Sequence, residues 1–373
     1  MKNSIQIAKI FGIPVKLHWT FGLMMAWVIL EGRRNGMDWA SVGWFALLVI
    51  GLFVCVILHE FGHALSARRF GVGTKDIILS PIGGVARLDR LPEKPIHESI
   101  VAAAGPVVNL VIAGVVGGYG WLTSSLDFSN LDSREAIFGN PENFITILLF
   151  INVFLAVFNL IPAFPMDGGR IFRSLLSAPL GRRKATQITT YLGQGMAVLI
   201  IFLAYYFSPE KISYYLVPLF IISAVFMFFM ATRENQRVKF EEILKKHKVS
   251  ELVRSVFTIF QKTDKMELAV ETLKRGSEKD FIVKNEEGKI EGVLSEDSIL
   301  KNAKSTTDND LGIEKFISPI EENIHPSDSL FDFYKKMIEQ QLHILPVFEN
   351  ETMVGVVDLQ QLNEFLKLQY RRK

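Results

Sequence analysis

The sequence contains one cysteine, Cys55, so no disulfide forms within the chain. Cys55 lies inside an apolar run and reads as a small buried residue. An excess of charge of one sign is also missing. The 41 Lys and Arg against 39 Asp and Glu leave a net charge of +2, too little to support a nucleic-acid partner, and none is expected. Low-complexity segments are absent. Residues 1–16 hold no long apolar core followed by small residues, so no cleavable signal peptide is expected. Charge itself is scarce over the first 232 positions, because 49 of the charged residues fall within 233–373. The front of the chain is therefore apolar, and the back has the composition of an ordinary soluble domain.

What fills the charge-poor region is a series of long apolar runs. A helix needs about 20 mainly apolar residues to cross the hydrocarbon core of a bilayer. Residues 39–58, 100–126, 144–166, 188–209 and 212–232 meet that requirement, and the shorter run 17–30 is counted as a sixth crossing. Arg170, Arg173, Arg182, Arg183 and Lys184 form a basic stretch without acids, expected as a cytoplasmic loop. Asp127, Asp132, Glu135 and Glu142 against Arg134 are expected on the outer side. Arg33 and Arg34 in the first outer loop are the minority against this scheme. Six crossings place both termini in the cytoplasm, in a multi-pass protein of the cell membrane surrounded by lipid.

The second run ends in His59-Glu60-Phe61-Gly62-His63. On a helix, residues four apart share a face, so both imidazoles point at one metal ion. Glu60, one residue from the first ligand, is placed to take a proton from a metal-activated water and pass it to a leaving amine. Ionisable groups in a crossing helix are costly and mark function. Two His leave a catalytic site one protein ligand short, and Asp167 is the candidate third. It follows Asn159…Pro162…Pro165, where the prolines should break the helix, and precedes Gly168-Gly169, whose freedom suits a turn beside the acid. By itself Asp167 also fits a cap or turn residue at the membrane surface. Its depth decides for the metal: it precedes the basic stretch, as His59 and His63 precede Arg68-Arg69.

Together, His59-Glu60-x-x-His63, Gly105-x-x-x-Asn109 and Asn159…Pro162…Asp167-Gly168 resemble the site-2 protease family of intramembrane metalloproteases, over essentially the whole apolar region. The resemblance implies one zinc ion on His59, His63 and Asp167, with Glu60 as general base and acid. It suggests contacts of Asn109 and Asn159 with the substrate backbone or the developing oxyanion, against plain interhelical hydrogen bonds. The stretch 71–88, with Asp76-Ile77-Ile78-Leu79 and Gly83-Gly84-Val85-Ala86, resembles the family's re-entrant β-hairpin, whose edge suits pairing with an extended substrate. The implied activity is hydrolysis of membrane-spanning protein substrates. A transporter gated by its tail, an inactive scaffold, and another membrane metalloprotease with a Glu ligand are the competing readings. The intact Glu60 beside His59 argues against the first two.

The tail carries two similar units. Phe281-Ile282-Val283 is followed by Gly292-Val293-Leu294, and Ile344-Leu345-Pro346-Val347 by Gly355-Val356-Val357, each then by a helical stretch. These resemble a tandem pair of cystathionine-β-synthase (CBS) domains, which implies adenine nucleotide as a ligand and dimerisation as a role. The usual ribose-binding Ser/Thr followed three residues later by Asp is not matched: Ser295 is followed by Ser298, and Asp358 by Gln361. Nucleotide binding and a structural, dimerising role therefore both stay open. The expected organisation is a polytopic α-helical membrane metalloprotease domain (residues 1–232), a charged linker (233–248) and a soluble cytoplasmic α/β CBS pair (249–373).

Overall fold

The computed structural model describes residues 4–81, 83–90, 92, 94–128, 141–207, 210–276, 278–303, 312–321 and 323–371. The chain forms two compact units, Met1–Val238 and Lys239–Lys373. Of the expectations above, those on Asp132, Arg134 and Glu135 in the outer loop, and on Ile82 in the hairpin, lie outside the described residues.

The first unit opens with two strands that the sequence reading did not anticipate, β1 (Ser4–Ile10) and β2 (Ile13–His18). They are joined by a two-residue turn in which Phe11 and Gly12 both have positive φ, 52° and 81°. Such turns match the right-handed twist of a hairpin. Two helices follow, α1 (Thr20–Arg34) and α2 (Trp39–Arg69), and then β3 (Thr74–Ser80) and β4 (Gly83–Leu88). The four strands make one sheet in the order β1-β2-β3-β4. β2 and β3 are parallel, pairing Val15 with Ile77, and β3 and β4 are antiparallel, pairing Ile77 with Ala86. Ile13, Val15 and Ile77 pack with Phe61 and Ala64 of α2, so the sheet is fastened to the helix that carries the His-Glu-x-x-His run. Asp76, fully buried, accepts hydrogen bonds from Lys16 Nζ (2.7 Å) and Arg87 Nη2 (2.5 Å), tying three strands through one carboxylate.

The helical layer continues with α3 (Pro95–Leu122), α4 (Phe144–Asn159), α5 (Asp167–Phe207) and α6 (Glu210–Lys246). α2 starts on Asp38, whose side chain accepts from Ser41 N at 2.8 Å, a regular N-cap. Its 31 residues reach about 46 Å at 1.5 Å per residue, longer than the ~30 Å hydrocarbon core. Leu47, Ile50, Val54 and Leu58 form an exposed apolar stripe along it, while Leu48, Cys55 and His59 are buried on the opposite side. A stripe of that kind is stable against lipid and not against water. Among the described residues, α2, α3 and α5 are long and apolar enough to cross a membrane, and α4 is a shorter apolar helix.

Two expectations are corrected here. The run 144–166, counted as one crossing, is not helical throughout, and it breaks where the prolines were expected to break it. α4 stops at Asn159, residues 160–166 form successive turns, and Asp167 opens α5. Pro162 and Pro165 lack the N–H groups that would continue the helix. The basic stretch at 170–184 is not a loop either. It lies within α5, which breaks at Gly181 (φ 77°, ψ 154°), and Arg173 is fully buried.

The charged segment 233–248 is helical up to Lys246. The second unit repeats one order of elements. The first pass is α7 (Met266–Arg275), β6 (Phe281–Lys284), β7 (Ile290–Leu294) and α8 (Glu296–Ala303). The second is α9 (Leu330–Gln340), β8 (Ile344–Glu349), β9 (Thr352–Asp358) and α10 (Leu359–Arg371). The antiparallel registers correspond as well, with Phe281 opposite Leu294 and Ile344 opposite Asp358. Before the first pass, β5 (Ile259–Gln261) lies parallel to β6, and a single bridge from Ile324 to Val347 lies parallel to β8. One apolar cluster gathers around Phe260, Phe281 and Ile299 of the first pass, and the other joins Phe333, Leu345 and Leu362 of the second pass to Ile282 and Val293 of the first.

Candidate metal centre and catalytic site

His59 and His63, one helical turn apart on α2, bring their rings to 4.7 Å between centroids. Asp167, at the first position of α5, meets them from 108 residues away. Nε2 of His59 and of His63 each lie 3.2 Å from Asp167 Oδ2, and 3.0 Å from each other. Among the described residues this is the group of three His and acidic side chains able to hold an ion. A tetrahedral zinc ion with bonds of about 2.0–2.1 Å needs ligand atoms roughly 3.3 Å apart, so the triangle is of the right size.

The hydrogen bonds on the far side of each ring support the same reading. His59 Nδ1 donates to Asn109 Oδ1 at 2.5 Å, and His63 Nδ1 donates to the Val101 carbonyl at 2.8 Å. Both protons are thereby on Nδ1, and both Nε2 lone pairs face one another and a carboxylate. Three electron-rich groups converging on a point of low polarity are repulsive unless a cation joins them. The donor set of two imidazoles and one carboxylate suits zinc.

Close backbone approach makes room for this centre. A Cβ at Gly62 would sit 2.7 Å from the Ala104 carbonyl oxygen, so this glycine sets how near α2 and α3 approach. A Cβ at Gly105 would overlap the Nε2 atoms of both histidines, filling the space where the ligands converge. Gly168 and Gly169 serve the same purpose. Neither has a positive φ, contrary to the freedom expected of them, but a Cβ on either would collide with backbone of the 160–164 turn. The pair lets that turn pack against the start of α5 and hold Asp167 in place.

A cavity of about 510 Å³ opens at the triad, lined also by Glu60, Asn159, Arg170 and the strand residues Gly84–Ala86. Glu60 Oε2 accepts a hydrogen bond from Ala86 N at 2.7 Å. Ala86 is on β4, the edge strand of the sheet, so that edge and the Glu60 carboxylate border one space. Asn109 and Asn159 are placed differently. Asn109 is fully buried, with its oxygen on His59 and its amide nitrogen on Asn152 Oδ1 at 2.9 Å. Asn159 lines the cavity. The sequence reading did not single out Asn152, and a polar residue in the apolar run 144–166 was its one signal.

A second cleft, of about 590 Å³, lies within the tail unit. The positions of the expected nucleotide pattern are bonded internally. Ser295 donates to Ser298 Oγ at 3.0 Å, and Asp358 accepts from Gln361 N at 2.8 Å and from Arg254 at 3.3 Å. The lining mixes the acids Glu278, Asp280, Glu296, Asp358 and Glu364 with the bases Arg254, Lys279 and Lys367. Burial raises the Asp280 carboxyl above its ordinary range; the Glu296 N–H and His343 pull it down, and the charges of Glu296 and Asp358 add to the rise. Arg254 pairs with Glu278 and Asp358, and Lys279 with Glu296.

Residues 47–130 and 122–203 match the model of peptidase family M50, and residues 319–367 match that of the CBS domain. A zinc metalloprotease of Methanocaldococcus jannaschii is 36% identical over 254 residues, 68% of this chain and 67% of that one. A Synechocystis protein named as a candidate zinc metalloprotease is 31% identical over 208 residues, 54% of this chain and 52% of its own length. The chain thus spans about two thirds of the first relative and about half of the second. The solved site-2 protease from Methanocaldococcus jannaschii is 36% identical, covering 62% of this chain and 95% of that one, with a TM-score of 0.44. The chain belongs to peptidase family M50, the site-2 protease family of zinc metalloproteases.

Proposed function

We propose that this protein cleaves membrane-spanning protein substrates within or at the bilayer, with zinc held by His59, His63 and Asp167. The observation that carries this reading is the convergence of the two Nε2 lone pairs and Asp167 Oδ2 on one point. It lies in a unit whose helices expose apolar stripes. When bound, zinc acidifies a water and polarises the scissile carbonyl. Glu60 takes a proton from the attacking water and delivers it to the departing nitrogen. The free edge of β4 beside Glu60 offers backbone groups to an extended substrate segment, which keeps the peptide unwound. Asn159, lining the cavity, is assigned to substrate or oxyanion contact, and Asn109 to orienting His59.

The six apolar runs are assigned as six crossings with both termini in the cytoplasm, in the cell membrane. The CBS tail is assigned a regulatory role and a homodimer contact. Cleavage of a membrane substrate by purified protein tests the central assignment. Glu60→Gln is expected to lower the rate at least 1,000-fold, on the order of the loss expected for a proton-transfer group, with zinc content unchanged. A parent rate in that variant sinks the mechanism. Full zinc content after His59→Ala with His63→Ala sinks the ligand set.

A further inference from the structure

Asn152 of α4 touches neither the metal ligands nor the cavity, yet two hydrogen bonds link it to His59 through Asn109. Its Nδ2 donates to the Leu148 carbonyl at 2.9 Å and to Cys55 Sγ at 3.3 Å. Its Oδ1 accepts from Asn109 Nδ2 at 2.9 Å, and Asn109 Oδ1 accepts from His59 Nδ1 at 2.5 Å. Asn109 and Asn152 are both fully buried. Water therefore cannot replace any link in the series.

The direction of every bond follows from its first member. A backbone carbonyl has no proton to give, so the side of Asn152 that faces Leu148 is its NH2 group. Its oxygen then faces Asn109, which must answer with its own NH2. The oxygen of Asn109 is left facing His59, so Nδ1 of that ring carries the proton and Nε2 carries the lone pair. If Asn109 turned over, its NH2 would require a lone pair on Nδ1. The ring proton would move to Nε2 and point at Asp167, giving a His–Asp hydrogen bond in place of a metal ligand.

We infer that Asn152 is a positioning residue that holds His59, through Asn109, in the tautomer able to bind metal. This rests on the assignment of His59 as a ligand. The two conclusions separate in one experiment on the full chain in detergent, where zinc alone is titrated against a chromophoric chelator. Asn152→Leu keeps the volume and removes the polarity. It is expected to weaken zinc binding about 10- to 100-fold, the usual effect of losing a ligand's hydrogen-bond partner. Asn152→Asp, protonated in this buried site, donates to Leu148 and accepts from Asn109, and is expected to stay within about threefold of the parent.

Melting without metal checks the folding of each variant, and Asn152→Ala replaces the leucine variant if that one does not fold. Equal losses in the apolar and Asp variants, or no loss in either, overturn the inference while leaving the ligand assignment intact. Unchanged zinc affinity in His59→Ala overturns the assignment itself.

Discussion

At the scale of single residues, the site depends on what is missing from Gly105 as much as on what His59 and His63 supply. Their imidazoles meet where a methyl on α3 would otherwise lie. Gly105→Ala is therefore expected to reduce bound zinc to below about a tenth of the parent value, because the methyl displaces the ligand atoms and helix propensity offers no more than about 1 kcal/mol in return. Metal analysis of the purified variant reads this directly, and full occupancy would contradict the geometry. The pair at i and i+4 was legible from spacing, because a helix fixes the direction of both side chains. The task of Gly105 was not. It depends on which part of α3 crosses α2, and nothing in the local sequence encodes that crossing point. The same holds for Asn109, whose partner is chosen by long-range packing.

At the scale of elements, α5 has to hold Asp167 against α2 without help from a continuous helix before it. Part of the answer is Arg173, six residues on. It is fully buried between Glu98 of α3 and Glu234 of α6, bonded to the latter at 2.6 Å, with its guanidinium 5.1 Å from the Phe164 ring. Ser174 adds a bond to the Pro95 carbonyl. One cation thus fastens α5 to two neighbours. Arg173→Met would leave the buried Glu98 and half-buried Glu234 carboxylates without their partner. Breaking a buried pair costs about 3–5 kcal/mol, so thermal unfolding in detergent should shift down markedly and bound zinc should fall with it. An unchanged melting temperature would show that the clamp is dispensable. The sequence reading counted Arg173 among the solvated charges of a loop. Composition shows that a basic residue is present, and only packing shows that two acids reach it.

At the scale of the whole molecule, an apolar metalloprotease unit is joined to a repeated α/β unit. The second has separate cores and its own cleft, so it is built as a module rather than as an appendage of the first. A regulatory tail predicts that deleting residues 249–373 changes the cleavage rate of a membrane substrate, by roughly 3-fold or more, which is a coupling of only ~0.7 kcal/mol. Zinc content should stay at the parent level. A rate unaffected by the deletion removes the regulatory assignment and leaves a structural or dimerising one.

The sequence by itself determined the class of this protein. Charge-free runs define membrane-compatible helices through the cost of burying charge in lipid. The His59-Glu60-x-x-His63 spacing puts two imidazoles on one face of a helix, with a carboxylate beside the first, through helix periodicity. The repeated apolar strands and glycines of the tail mark two like units. The tertiary structure alone decided how the centre is completed and held. It put Asp167 at the start of α5, brought the Glu60 carboxylate to the edge of β4, and gave Asn109 to His59 while leaving Asn159 at the cavity. It also added Asn152, and it gave Gly105 and Arg173 tasks that the sequence did not show. Periodicity and composition act over a few residues, whereas the tautomer of a buried imidazole is set by groups 50 to about 90 positions away.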